Sequence, residues 1–83
     1  MKVNLRYFAS IREAIGPSGE AVDTAATTLG ALRDELIARG GTHAESLARG
    51  KAVRVAYNQV MSEETVTLTE GCEVAFFPPV TGG

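Results

Sequence analysis

Val3, Leu5 and Tyr7 alternate with Lys2, Asn4 and Arg6 at the head of the chain. That period of two predicts a first strand with one buried face. Past Phe8 the spacing changes: Ile11 and Ile15 share one face of a helical turn, which Gly16-Pro17 terminates. Glu20-Ala21-Val22-Asp23 predicts a short second strand, paired with the first as a hairpin. After Thr27-Thr28, residues suited to capping a helix, Leu29, Leu32, Leu36 and Ile37 fall at i, i+3, i+7 and i+8. Arg33, Asp34 and Glu35 are assigned to the rest of that helix's surface, and Arg39-Gly40-Gly41 stops it. Thr42-His43-Ala44-Glu45 has capping-box spacing and predicts a short helix ending at Arg49-Gly50, with His43 exposed in its first turn.

The second half returns to a period of two. Val53, Val55 and Tyr57 alternate with Arg54 and Ala56, a third strand that turns at Asn58-Gln59 so that Val60-Met61 pairs back. Thr65-Val66-Thr67-Leu68 reads as a short edge element, Glu70-Gly71 as a turn and Glu73 to Phe77 as the last strand. One long helix laid across a mixed sheet of about five strands, with short helices beside it, is the β-grasp (ubiquitin-like) roll of the α+β class. In that roll the first and last strands lie side by side at the centre as a parallel pair. Residues 1–83 form one domain, of which 78–83 are an extended C-terminal tail.

Strand alternation also makes a statement about surface. Phe76 and Phe77 are neighbours, so if Val74 and Phe76 face the helix, Ala75 and Phe77 face away. Tyr7 and Phe8 obey the same rule, and a sheet covered on one face would show aromatic surface near the root of the tail. Packing of Phe8 under a loop is the alternative for that residue.

Composition narrows the function classes. A net charge of −2 provides no field for a nucleic-acid backbone. No apolar run approaches the roughly 20 residues that span a bilayer, and the broken pattern Met1-Lys2-Val3-Asn4-Leu5-Arg6 is unlike a signal peptide. A single cysteine precludes an internal disulfide and fits a reducing cytoplasm. Cys72 stands between Glu70 and Glu73, whose charges disfavour a thiolate, and is read as a turn or strand-edge thiol. With His43 the only histidine, no His-based metal cluster is available. The exposed cations Arg6, Arg12, Lys51 and Arg54 are read as solvated, with contact to an acidic partner surface as the alternative.

Reactive chemistry is therefore sought in the tail Pro78-Pro79-Val80-Thr81-Gly82-Gly83. Two glycines make the thinnest thread a peptide can offer. Two prolines stiffen the approach to them. At 3.3–3.6 Å per residue, these six residues reach about 20 Å from the body.

The run Val74-Ala75-Phe76-Phe77-Pro78-Pro79-Val80-Thr81-Gly82-Gly83 closely resembles the C-terminus of the small sulfur-carrier subunits of molybdopterin synthase. The resemblance continues through Ile11-Arg12-Glu13, Thr28-Leu29-Gly30-Ala31-Leu32-Arg33 and Val55-Ala56-Tyr57-Asn58-Gln59, so it covers essentially the whole chain. Tyr57 stands where a small or aliphatic residue is usual, and Cys72 replaces an acidic turn residue. The resemblance implies that a ubiquitin-activating-like adenylyltransferase spends ATP to adenylate Gly83. The acyl-adenylate is then converted to a thiocarboxylate, and no cofactor is bound stably. It implies a second partner, the large catalytic subunit of the synthase, in a heterotetramer where cyclic pyranopterin monophosphate receives the sulfur. Gly83 would carry the reactive atom, Gly82, Thr81, Val80, Pro79 and Pro78 would thread the partner, and Phe77 with Phe8 would anchor the body. Sulfur carriage for thiamine or cysteine synthesis, a ubiquitin-like protein modifier, and a plain interaction module remain as alternatives.

Overall fold

The computed structural model describes residues 1–79. Val80, Thr81, Gly82 and Gly83, on which the tail chemistry rests, lie outside the described residues. The elements run β1 (Lys2–Tyr7), α1 (Ala9–Ile15), β2 (Gly19–Asp23), α2 (Leu29–Ile37), α3 (Gly41–Leu47), β3 (Arg54–Tyr57), β4 (Val60–Ser62) and β5 (Glu73–Phe77).

The five strands form one sheet in the order β2-β1-β5-β3-β4. β5 lies at its middle, parallel to β1 with Tyr7 opposite Phe76 and antiparallel to β3 with Ala56 opposite Ala75. A parallel neighbour cannot be reached by a tight turn, so all the intervening helices belong to the crossover. β2 pairs antiparallel with β1, Val3 opposite Val22, as the hairpin reading expects. Gly19 is needed there, because a Cβ at that position would lie 2.4 Å from the Leu5 carbonyl oxygen.

The core sits between the helices and one face of the sheet. Val3, Leu5 and Tyr7 of β1, Val74 and Phe76 of β5, and Leu29, Leu32 and Leu36 of α2 are all buried. Each such aliphatic or aromatic side chain contributes about 1.5–3 kcal/mol when removed from water. Thr28 caps α2 through its side-chain oxygen, which accepts from the Ala31 amide at 3.1 Å. Cys72 precedes β5 and packs with these apolar residues, 4% exposed.

Four local expectations need correction. Arg33 does not lie on the solvent surface of α2 but is buried. Its Nε donates to the Leu47 carbonyl at 2.8 Å, and Nη2 donates to those of Ala48 and Lys51 at 2.8 and 3.3 Å. The carbonyls at the end of α3 and in the turn behind it arrive from 14 to 18 residues away, and the guanidinium satisfies them. Thr42 is not a cap: α3 starts one residue earlier, after Gly40 at φ 76°, with no side-chain hydrogen bond at its N-cap. His43 is only 18% exposed and belongs to a network around Glu20. Thr65–Leu68 does not extend the sheet; Thr67 forms an isolated bridge with Thr28, and Leu68 drops into the core.

Candidate functional site

Strand register builds the root of the tail. Because Tyr7 lies opposite Phe76, the next residues, Phe8 and Phe77, meet on the other face of the sheet. Tyr7 and Phe76 stack in the core at 6.2 Å between centroids, while Phe8 and Phe77 stack outside it at 4.5 Å with planes 10° apart. Such a pair contributes about 0.5–1.5 kcal/mol beyond its buried area. The Phe8 amide donates to the Phe76 carbonyl at 3.2 Å, which locks the first strand to the last where both leave the sheet.

Ala9, at φ 50°, then bends the chain sharply into α1, so Phe8 stays half-buried instead of being swept under a loop. From Phe77 the chain passes straight to Pro78, half-buried, and Pro79, exposed. An open groove of about 470 Å³ runs along this stretch, lined by Phe8, Phe77, Pro78, Pro79, Met61 and Arg54. Arg54 reaches it because it pairs with Phe77 across β3 and β5, and Met61 because it pairs with Ala56 on the same face. The site residues named from the sequence thus divide in two. Phe8, Phe77, Pro78 and Pro79 are brought together, and 80–83 are outside the described residues.

Met61 was missed as a site residue. Its signal was the two-residue turn Asn58-Gln59, which fixes the β3–β4 register and so the face on which Met61 projects. Both turn residues have positive φ, 47° and 69°, as a tight hairpin requires.

The other electrostatic feature lies on the helix side of the sheet, away from the groove. Glu20 accepts from the Tyr7 hydroxyl at 2.8 Å and from Arg39 at 3.0 Å, and His43 Nε2 lies 3.1 Å from it. Desolvation pulls the Glu20 carboxyl up, but the hydrogen bonds from Arg39, His43 and Tyr7 outweigh it and hold the group below its ordinary value. Burial, reinforced by that carboxylate, pushes the Tyr7 phenol far above its usual range, so it serves as a neutral donor. This cluster ties β1, β2 and α3 together and has no substrate-sized opening beside it among the described cavities.

A five-stranded mixed sheet with helices over one face and its central strand running out toward the C-terminus defines a ubiquitin-like β-grasp protein. The chain belongs to the ThiS family, which matches residues 5–83, and so to the ubiquitin-like sulfur carriers. The molybdopterin synthase sulfur carrier subunit of Escherichia coli (strain K12) is 40% identical over 81 residues, covering 98% of this chain and 99% of its own. SAMP1 of Haloferax volcanii, a crystal structure, is similar with a TM-score of 0.77 and 25% identity, covering 100% of both chains. A chain of the complex of subunits 1 and 2 of the molybdopterin-converting factor from Helicobacter pylori matches at TM-score 0.69 and 25% identity, again over 100% of both.

Proposed function

We propose that this chain is the sulfur carrier of molybdopterin synthesis, acting through the carboxyl group of Gly83. A terminal carboxylate is a poor electrophile because oxide would have to leave. An adenylyltransferase of the ubiquitin-activating type joins it to AMP, with ATP giving up pyrophosphate. The terminal sulfur of a persulfide attacks the acyl carbon and AMP departs, leaving an acyl disulfide. A second thiol then cleaves its S–S bond, forming a disulfide with the donor and releasing Gly83 as a thiocarboxylate. The softer sulfur anion is the nucleophile that the carboxylate was not. Carried on its stalk into the large subunit, it transfers sulfur to cyclic pyranopterin monophosphate. The dithiolene needs two sulfurs, so two loaded carriers serve each product and leave as carboxylates to be recharged.

One observation supports this reading above the rest: the middle strand of the sheet, β5, passes without a turn into Pro78-Pro79. A stalk rooted in the most constrained strand keeps its direction, which lowers the ordering entropy of insertion into a partner. The stacked Phe8 and Phe77 beside it provide a firm footing.

Intact mass is the test. Co-expression with the activating enzyme should raise the mass by about 16 Da, one oxygen replaced by sulfur at an acyl group. Deleting Gly83 should abolish the gain. An unchanged mass, or extra mass mapping to Cys72, would refute the assignment. Complementation of a molybdenum-cofactor defect separates this carrier from those of thiamine or cysteine synthesis. ATP-dependent conjugate ladders would instead identify a protein modifier.

A further inference from the structure

The face of the sheet turned away from the helices has a charge opposite to that of the whole protein. By alternation, its strand positions hold Lys2, Asn4 and Arg6 on β1, Gly19, Ala21 and Asp23 on β2, Arg54 and Ala56 on β3, Met61 on β4, and Glu73, Ala75 and Phe77 on β5. Three cations thus share these positions with two carboxylates, Asp23 and Glu73, a local excess of positive charge on a chain whose net charge is −2. Arg33, Arg39 and Arg49 are each within 3.0 Å of a carboxylate oxygen, which leaves them committed to holding the fold.

Arg6 and Arg54 stand apart. Arg6 lies 4.0 Å from Glu73 with its side chain half exposed, and its guanidinium carbon is 5.6 Å from the Phe8 ring centroid. Arg54 lines the groove, is exposed, and has no carboxylate within ion-pair distance among the described residues. Glu63, just beyond β4, shares a wider polar hollow with it but does not pair. The apolar platform of Phe8, Phe77 and Pro78 therefore has a guanidinium on each side.

We infer that this is a two-arginine clamp for a partner surface in which an apolar socket is bordered by carboxylates, and that the partner is the large synthase subunit. The inference rests on the proposed function, and it adds the chemistry of the surface that the stalk's root must meet. Charge on the rim of an apolar contact chiefly steers encounter, whereas the apolar centre sets how long the complex lasts. Arg54 lines the groove along the two prolines and Arg6 lies over Phe8 at its foot, so their alignment with carboxylates fixes the direction in which the stalk enters.

Association and dissociation rates with the large subunit, measured across a salt series, test this. The double variant Arg6→Glu/Arg54→Glu should associate roughly tenfold more slowly at low salt. The deficit should close near 1 M salt, where the screening length is about 3 Å. Lys51→Glu changes net charge on an exposed residue outside the strands and should leave the rates within about twofold of wild type. Arg6→Gln/Arg54→Gln, with circular dichroism confirming the fold, should show a smaller loss of the same salt dependence.

Phe77→Ala should raise dissociation at every salt concentration. If it does and the arginine variants match Lys51→Glu, the clamp is overturned while the docking face stands. If Phe77→Ala binds like wild type, the docking face itself falls. A salt-sensitive defect seen only with the activating enzyme, or only in self-association of this chain, would also overturn the assignment to the large subunit.

Discussion

Arg33 is the side chain on which most distant contacts converge. It joins α2 to three backbone carbonyls, two of them past the end of α3, and its Nη1 donates to Glu64 at 2.8 Å. Arg33→Ala would strand those carbonyls and remove one of the two arginines that hold Glu64, and should cost about 3–5 kcal/mol in urea unfolding. Arg33→Lys keeps the charge but not the planar fork, so it should recover only part of that loss. Glu20 gives a pH prediction. Its folded-state pKa lies below the ordinary 4.5 despite desolvation, because Arg39, His43 and Tyr7 hydrogen-bond to the ionised form. A depressed carboxyl stabilises the fold above the unfolded value and loses that contribution as pH falls through the folded one. Glu20→Gln should therefore lower the melting temperature at pH 7, and the gap to wild type should narrow progressively below pH 4.5. At this scale the sequence was least informative. Arg33 and His43 occupy helical positions that read as surface, and only elements from elsewhere in the chain cover them.

Elements were easier to read, because a strand or helix carries its own period. The alternation in β1 and the leucine spacing of α2 both reappear as buried faces. Departures came where backbone conformation, and not side-chain pattern, set the boundary. Gly40 starts α3 through its own positive φ, so the threonine after it has nothing to cap. The β3–β4 turn offers a test. Asn58 is held twice, its amide donating to the Glu73 carbonyl at 2.8 Å and its Oδ1 accepting from the Glu73 amide at 2.9 Å. Gln59, at φ 69°, has a left-handed backbone. Gln59→Gly removes a steric cost there and should raise unfolding free energy by about 0.5–1 kcal/mol. Asn58→Ala should lower it, since a side-chain hydrogen bond to β5 goes with it. Equilibrium denaturation of both variants measures the two effects with opposite signs.

For the whole molecule, the position of β5 decides what can be removed. It separates β1 from β3, so a chain ending at Cys72 would leave two strands unpaired along one edge each and Tyr7 without Phe76. Such a chain should show no cooperative transition. A chain ending at Pro79 retains every described contact of the sheet and should unfold with the midpoint of the full-length protein, yet take up no sulfur. Circular dichroism in a urea series, beside intact mass after co-expression with the activating enzyme, separates stability from function in these two truncations.

Amino-acid order alone carried the periods, the turn at Asn58-Gln59, the absence of an internal disulfide and the tail motif, since each depends only on residues close together in the chain. Three-dimensional packing decided which cations are buried, where His43 rests and which aromatics touch. Those outcomes depend on strand register, and a parallel β1–β5 pairing joins residues about seventy positions apart. No local pattern encodes that alignment; it follows from burying Val3, Leu5, Tyr7, Val74 and Phe76 in one core under the helices at the same time. The same register that hides Tyr7 and Phe76 brings Phe8 and Phe77 together outside, at the base of the stalk.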